Sequence, residues 1–359
     1  MKKRLLYFIF LLLSSICMAQ KQPEYQLGFR YHYGFILVHV PSLQHFSGAH
    51  FPVYEITLTK LTYGNKDWQQ AYHNPDLGMS FYVTDFGKNK FLGKGYALFP
   101  NITFHYLRKK WLHANFRIGA GLGYIEKPFE RLHNYKNSAI GSHINSAISI
   151  LIETKYTLNA RTNLGIGVAL NHFSNGATKT PNLGINMATA NIALAYTFAD
   201  RPISAIDSNR TFKKHFEYLA LLCGGYKEIA PAGGNKYAVV NFSFNVARVR
   251  SLRGKWGGGI DIFHDASIKE QFQRDSISAN NFSITQAGVN LSWEVIFGKV
   301  SFPLQAGVYA FSKYKGNGVL YNRYGVRYQF HKNLVANFSI KTHYAKADYF
   351  EWGIGYKWY

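Results

Sequence analysis

Apolar and polar residues alternate along most of this 359-residue chain, and after residue 19 no long continuous apolar run interrupts the alternation. A period of two is typical of β-strands that present one apolar and one polar face. The pattern predicts sixteen strands, at residues 25–38, 52–63, 77–86, 93–107, 111–124, 143–156, 162–173, 183–198, 215–226, 237–249, 255–264, 282–297, 300–311, 320–330, 334–344 and 349–358.

The first 19 residues have the pattern of a secretory signal peptide. Three cations at positions 2–4 precede an apolar run over 5–16, and Ala19 ends a small-residue cleavage site. The run is shorter than the ~18 residues that a membrane-spanning helix needs, which disfavours an uncleaved anchor. Ile16 before Cys17 disfavours lipoprotein processing. Cleavage after Ala19 leaves Cys223 as the single cysteine, so no internal disulfide can form.

Export, alternation and 54 Phe and Tyr residues (28 and 26) together predict a transmembrane antiparallel β-barrel in the bacterial outer membrane. Several even-numbered turns are tight and several odd-numbered loops are long, as expected for short periplasmic turns and longer extracellular loops. The stretch 64–76 is an exception, because it is long where a short turn is expected. The last strand has an aromatic face formed by Phe350, Trp352, Tyr356 and Trp358. A soluble β-sandwich is the less favoured explanation of these aromatic residues.

The sixteen predicted strands can close into barrels in two ways. The simpler solution, with one closing strand, is a single barrel of about 16 strands, and it is the favoured prediction. Its parts are a strand region at 20–198, a polar linker at 199–213 and a C-terminal region at 214–359 that completes the barrel. The alternative is two eight-stranded barrels, in which the eighth strand pairs with the first instead of the ninth.

A formal charge of +22 favours anionic partners, and in an outer membrane the nearest anions are lipopolysaccharide phosphates. The chain has no phosphate-binding glycine loop and no nucleic-acid module, so no nucleic-acid partner is expected. His32, His39, His45 and His50 lack the spacing of a metal site. Neither a metal nor a cofactor is predicted, and the oligomeric state is left open.

His172 and Ser174 are the main candidates for chemistry. They lie two residues apart at the end of a predicted strand, on the same face as Ile166, Val168 and Leu170. A hairpin centred near residue 180 places Asn186 opposite this pair. Three polar side chains therefore meet at one end of an apolar, membrane-facing surface, although interface-level polar residues without a catalytic role could give the same pattern.

The pair has the chemistry of an activated nucleophile. A serine hydroxyl needs an adjacent base, and the base needs a partner that sets its tautomer. Asn186 can accept a hydrogen bond from an imidazole but carries no charge. Asn175 and the backbone N–H groups of Gly176 and Ala177 are the natural oxyanion donors beside Ser174. The parity of Glu153 points this carboxylate into the barrel, away from His172.

A second triad-like set, His264, Asp265 and Ser267, is less favoured. If the strand continues, His264 and Asp265 point to opposite faces, so these residues are expected at the barrel rim.

The segments His172-Phe173-Ser174-Asn175 and Pro181-Asn182-Leu183-Gly184-Ile185 resemble the outer-membrane lipid A 3-O-deacylase (PagL) family. The resemblance covers residues 20–198 in length and strand number. It implies an eight-stranded barrel whose membrane-facing Ser/His site hydrolyses the 3-O-linked acyl ester of lipid A. It assigns Ser174 as nucleophile and His172 as base, and it places Asn186 where the family has an acidic residue.

The sequence therefore predicts an outer-membrane esterase with lipid A of lipopolysaccharide as substrate and outer-membrane lipids as surroundings. The alternative is a non-catalytic barrel, either a porin-like channel or an anchor.

Overall fold

A computed structural model describes residues 25–87, 90–198, 212–344 and 346–359. The predicted signal peptide and residues 199–211 of the predicted linker lie outside the described residues. Sixteen strands form where the alternation predicts them, with bounds that differ by at most a few residues. They are β1 (Tyr25–Ile36), β2 (His50–Lys60), β3 (Asp76–Thr84), β4 (Gly95–Arg108), β5 (Leu112–Ile125), β6 (Ile144–Thr157), β7 (Thr162–Ser174), β8 (Ile185–Thr197), β9 (His215–Glu228), β10 (Lys236–Ser251), β11 (Gly254–Asp265), β12 (Thr285–Phe297), β13 (Val300–Phe311), β14 (Leu320–Gln329), β15 (Leu334–His343) and β16 (Lys346–Trp358).

The strands close into two antiparallel barrels, β1–β8 and β9–β16. In the first barrel β8 pairs with β1, from Gln26 opposite Thr197 to Ile36 opposite Met187. In the second barrel β16 pairs with β9. The predicted single barrel of about 16 strands is therefore wrong, and the alternative of two eight-stranded barrels is confirmed. Residues 214–359 do not complete the first barrel but form their own.

Inward-facing polar pairs explain why β8 meets β1. Gln26 Nε2 donates to Thr197 Oγ1 at 2.9 Å, and His32 Nδ1 lies 3.0 Å from Thr189 Oγ1. Between these two contacts, the Arg30 guanidinium donates to Asn191 Oδ1. These pairs satisfy polar groups that are buried in the lumen, so the β1–β8 seam leaves few unmet hydrogen bonds.

Each lumen is filled by paired charges. In the first barrel Arg117 Nη2 lies 2.9 Å from Glu55 Oε2, and Arg30 Nη2 lies 2.5 Å from Glu153 Oε2. In the second barrel Arg323 lies 3.0 Å from Asp261 and 2.6 Å from Glu351. Eight strands enclose an interior just wide enough for side chains. Charged side chains therefore occupy the interior of each barrel.

The outer faces are apolar, as the alternation predicts. In β7, Ile166, Val168 and Leu170 are all more than half exposed, and Trp352 and Ile354 project from β16 in the same way. This arrangement gives each barrel a continuous lipid-facing surface. Among the described residues, no helix has the length and hydropathy to span a membrane.

In the part of the chain that the structure describes, three short helices interrupt the loops, and the alternation does not predict them. A 3₁₀ helix spans Pro41–Phe46, α1 spans Asp67–Ala71 and α2 spans Ser267–Arg274. The long stretch between β2 and β3, exceptional in the sequence, contains α1 and contacts the second barrel. Beside α1, the Tyr72 ring stacks on Phe297 with 4.5 Å between centroids, and Tyr72 Oη donates to the Arg253 carbonyl at 2.6 Å.

Candidate functional site

The β7–β8 hairpin brings the predicted polar residues together in the expected register. His172 pairs directly with Asn186, and the neighbouring strand β6 places Ile148 opposite His172 and Ser146 opposite Ser174. Inward positions of β7, such as Asn171 and Phe173, are buried in the lumen. His172 and Ser174 therefore belong to the outer face of the barrel, as their parity predicts.

A chain of hydrogen bonds leads from His172 to a backbone carbonyl. His172 Nδ1 lies 2.6 Å from Asn186 Oδ1, and Asn186 Nδ2 lies 3.1 Å from His39 Nδ1. His39 Nε2 lies 3.1 Å from the Leu183 carbonyl oxygen. The chain joins the β1–β2 loop to the β7–β8 hairpin, which is possible because β8 and β1 are neighbours.

The Leu183 carbonyl sets the direction of every bond in this chain. A carbonyl can only accept, so His39 Nε2 carries the proton and His39 Nδ1 accepts from the Asn186 amide. The Asn186 oxygen then faces His172 and accepts from its Nδ1–H. His172 Nε2 is left with a free lone pair, which is the state that a general base requires.

Ser174 is buried and hydrogen-bonded to its own loop. Its Oγ donates to Asn182 Oδ1 at 3.2 Å and accepts from the Gly176 N–H at 3.3 Å. Among the described residues it makes no hydrogen bond to His172. The hydroxyl must therefore turn from Asn182 to His172 Nε2 before it can lose its proton.

The loop after Ser174 is tightly held. The Asn175 side-chain amide donates to Ser142 Oγ at 2.9 Å and to the Lys179 carbonyl at 2.7 Å, so it is engaged in loop structure. Gly176 and Ala177 both adopt positive φ angles, of 60° and 59°. Of the predicted oxyanion donors, the Gly176 N–H is the one that the structure aims at Ser174.

Gly184 makes room for the imidazole. Its φ is +81°, and a Cβ atom on this residue would lie 2.7 Å from His172 Cε1. A side chain at position 184 would be strained by the backbone and would displace the ring. The glycine is therefore required for the position of His172.

The other candidates are placed elsewhere. Glu153 lies inside the first barrel and is paired with Arg30, as its parity predicts. Asp265 is buried in the second barrel against Lys227, whereas His264 lies on the opposite, exposed side of β11. Among the described residues no three His, Cys, Asp or Glu side chains are grouped as metal ligands. A cavity of about 310 Å³ lies in the second barrel, lined by Glu217, Lys255 and Lys357, and contains none of the predicted site residues.

Sequence reasoning missed two residues of the site, His39 and Asn182. In the sequence, His39 is close only to His32, His45 and His50, which lack the spacing of metal ligands, and nothing connects it to position 186. Asn182 lies within the segment that resembles PagL, but its position in a loop gave no parity from which to place it.

Family models match both barrels of the chain. A model of the lipid A 3-O-deacylase (PagL) family matches residues 53–195, and a model of the acyloxyacyl hydrolase C-terminal domain matches residues 216–359. No curated protein matches the chain.

Three solved structures are examples of those similar to this chain. Neisserial surface protein A is 8% identical and covers 49% of this chain and 97% of its own, with a TM-score of 0.35. The outer-membrane enzyme PagL is 14% identical and covers 46% of this chain and 97% of its own, with a TM-score of 0.31. A mutant porin from Rhodopseudomonas blastica is 10% identical, and the match covers 93% of this chain and 99% of the porin chain, with a TM-score of 0.20. The two family models together match most of the chain, which is therefore similar to the lipid A 3-O-deacylase (PagL) family in its first barrel and to the acyloxyacyl hydrolase C-terminal domain in its second.

Proposed function

We propose that this protein hydrolyses the 3-O-linked acyl ester of lipid A, with Ser174 as nucleophile, His172 as general base and Asn186 as the residue that orients the base. The 2.6 Å contact between His172 Nδ1 and Asn186 Oδ1 is the observation that carries the proposal. It leaves His172 Nε2 as the basic nitrogen on the face that also bears Ser174.

The reaction follows from these positions. Ser174 Oγ attacks the ester carbonyl carbon while its proton passes to His172 Nε2. The Gly176 N–H, 3.3 Å from Oγ, lies beside the place where the oxyanion forms. The tetrahedral intermediate collapses, the C–O bond of the ester breaks, and the sugar oxygen takes the proton from His172 as it leaves. Water, deprotonated by His172, then releases the fatty acid from Ser174.

His39 completes the set as a positioning residue. It accepts from the Asn186 amide and so keeps the Asn186 oxygen towards His172. A reversed amide would present N–H to His172 Nδ1 and would favour the tautomer with its proton on Nε2, which cannot act as a base. Since His39 is itself directed by the Leu183 carbonyl, the backbone supports the tautomer of the base.

The surroundings of the pair suit an acylated lipid. Ile148, Ile152, Val168 and Leu170 form an exposed apolar surface that begins beside His172. An acyl chain that leaves the bilayer laterally can lie along this surface with its ester next to Ser174. The outward position of the site is then the position that a membrane substrate requires.

Asparagine in place of a carboxylate lowers the expected rate. Asn186 orients His172 but places no negative charge beside the imidazolium that forms during attack. We therefore expect a slower enzyme than one with an acidic residue at this position.

The test is deacylation of purified lipopolysaccharide by the full-length protein in detergent, followed by mass spectrometry of lipid A. The wild type should release one acyl chain from the 3-O position. Ser174→Ala should lower the rate by about 10⁴-fold or more while the folded barrels stay heat-modifiable.

Ser146→Ala is the matched control. Ser146 lies directly across from Ser174 on β6, faces outward and donates from its Oγ to the Ser174 carbonyl at 2.8 Å. Its variant therefore removes a hydroxyl and one hydrogen bond beside the site without removing the proposed nucleophile. It should stay within a few-fold of the wild type. Full activity of Ser174→Ala would refute the assignment.

A further inference from the structure

The second barrel touches the first at the loop that follows Ser174. Glu228, the last residue of β9, is buried at this contact. Its backbone N–H donates to the Ala177 carbonyl at 2.9 Å. Its carboxylate Oε1 accepts from Thr180 Oγ1 at 2.6 Å and lies 3.4 Å from the Thr180 nitrogen. One residue of the second barrel thus contacts the β7–β8 loop through both its backbone and its side chain.

Glu228 is also fixed within its own barrel. The same carboxylate oxygen accepts from the Gly233 N–H at 2.8 Å, in the loop between β9 and β10. The contact therefore joins the loop of the first barrel to an ordered part of the second barrel, and not to a freely moving side chain.

A third contact lies at Gly176. A Cβ atom on Gly176 would approach the Phe350 ring of β16 to 2.4 Å, so this ring packs directly against the glycine backbone. Phe350 is itself stacked on Phe338 of β15, with 5.3 Å between the ring centroids. The second barrel therefore packs Phe350, supported by Phe338, against the residue whose N–H faces Ser174.

The contacted residues are the ones that need support. Gly176 and Ala177 are consecutive residues with positive φ, and Ala177 carries a side chain in a backbone region that non-glycine residues rarely adopt. Such a conformation persists only where neighbouring contacts impose it. Here the Ala177 carbonyl is bonded by Glu228, and the Gly176 backbone is covered by Phe350.

We infer that the second barrel acts as a positioning domain for the reaction, and that Glu228 is its principal positioning residue. This inference rests on the proposed function. By holding Ala177 and Thr180, Glu228 keeps the Gly176 N–H beside Ser174 Oγ, from where it donates to the ester carbonyl oxygen that becomes the oxyanion. The second barrel then has a role in catalysis although no residue of it touches the reacting atoms.

The test compares Glu228→Ala, Glu228→Gln and the wild type as full-length proteins in lipopolysaccharide mixed micelles. Glu228→Ala removes the acceptor of Thr180 and should lower kcat by about 10- to 100-fold with little change in KM, because the substrate surface is unaltered. Glu228→Gln keeps an acceptor oxygen and should retain most of the activity. Hydrogen exchange of the 175–180 amides should rise in the alanine variant alone.

The matched control is Tyr72→Phe, which removes a single hydrogen bond between the barrels at the opposite junction. Burial raises the pKa of the Tyr72 phenol to about 12, so in the wild type it donates to Arg253 throughout the pH range of the assay. Its loss should leave kcat and the exchange of the 175–180 amides unchanged. An equal effect of both variants would mean that joining the barrels matters, and that Glu228 has no positioning role.

Labelling of Ser174 by a fluorophosphonate separates the two proposals. If the wild type is labelled and Glu228→Ala is labelled at the same rate, the inference is overturned while the proposed function stands. If the wild type labels Ser174 but does not deacylate lipid A, the substrate is wrong, and the labelling rates still test Glu228. A wild type that shows neither reaction overturns both.

Discussion

The two barrels share an architecture but differ at the hairpin where the site could form. In the first barrel the β7–β8 hairpin has a ten-residue loop, residues 175–184, and its last outward residues are His172 and Ser174. In the second barrel only residues 344 and 345 separate β15 from β16. There His343 is buried and lies 2.9 Å from Tyr309 Oη. The barrel alone therefore does not make a site. An ordered loop and outward-facing polar residues must be added to it.

The interiors of the two barrels differ less than the ends that carry the loops. Both lumens contain buried arginine–carboxylate pairs, and the second adds Lys227, which lies 2.6 Å from both Asp265 and Asp348. Taking one partner from such a pair leaves an uncompensated charge in a site that excludes water. Stability therefore depends on the lumens of both barrels, whereas the proposed chemistry depends on one rim.

The largest effect on stability is expected from Arg323→Met in the second barrel. It leaves Asp261 and Glu351 without their common partner and should lower the free energy of unfolding by about 3–5 kcal/mol. This free energy is measured by urea unfolding in detergent, with the heat-modifiable shift in gel mobility as the signal of folded protein. If the second barrel positions the β7–β8 loop, deacylation should be lost together with folded protein.

Arg274→Met is the control for that variant. Arg274 forms an exposed pair with Glu270 four residues away on α2 and donates to the Ala230 carbonyl. An exposed pair contributes less than about 1 kcal/mol, and one hydrogen bond about 1 kcal/mol, so the loss should stay well below that of Arg323→Met. If Arg323→Met were as stable as Arg274→Met, the buried pairs would not be what stabilises the second barrel.

A smaller effect, on rate alone, is expected at Asn186. Asn186→Ala removes the group that selects the tautomer of His172 and should lower kcat by about tenfold or more. Asn186→Glu should retain or raise the rate, because a carboxylate stabilises the imidazolium. Steady-state kinetics on lipopolysaccharide distinguish the two variants. A wild-type rate for Asn186→Ala would mean that another residue orients the base.

The smallest effect is expected at His39, which acts one bond further away. Loss of a hydrogen bond worth about 1.4 kcal/mol corresponds to about tenfold in rate, which is the upper bound for His39→Ala. The fall should appear in kcat and not in KM, since His39 only directs Asn186.

His45→Ala provides the comparison, because His45 lies in the same loop but packs on Phe46 outside the hydrogen-bonded chain. It should behave as the wild type. If the two histidine variants are equally active, His39 does not set the direction of the Asn186 amide.

Much of the fold and part of the site follow from alternation alone. Parity gives the strands, turns Glu153 inward and sets His172 opposite Asn186, because side-chain direction in a strand repeats every two residues. Parity carries no information on which strands close a barrel. That choice depended on matches such as Gln26 with Thr197 across the β1–β8 seam, which become visible only when the strands are placed.

The wrong closure and the missed residue His39 have one cause. In a single barrel β1 lies beside β16, and His39 is far from Asn186. In the observed barrel the Leu37 N–H donates to the Asn186 carbonyl at 2.8 Å, which brings the β1–β2 loop to the site. The helix α1 was unpredictable for a different reason: it has only five residues and is stabilised by contact with the second barrel.

The two junctions between the barrels lie at opposite ends of the strands. One joins Tyr72 to Phe297 and Arg253, and the other joins Thr180 to Glu228. Two bodies attached at a single point can pivot, whereas attachment at both ends makes their tilts depend on each other. A bilayer that thickens or thins changes the tilt that a spanning barrel prefers. In this molecule a change in the tilt of one barrel relative to the other has to be accommodated at both junctions, and one of them is the loop beside Ser174.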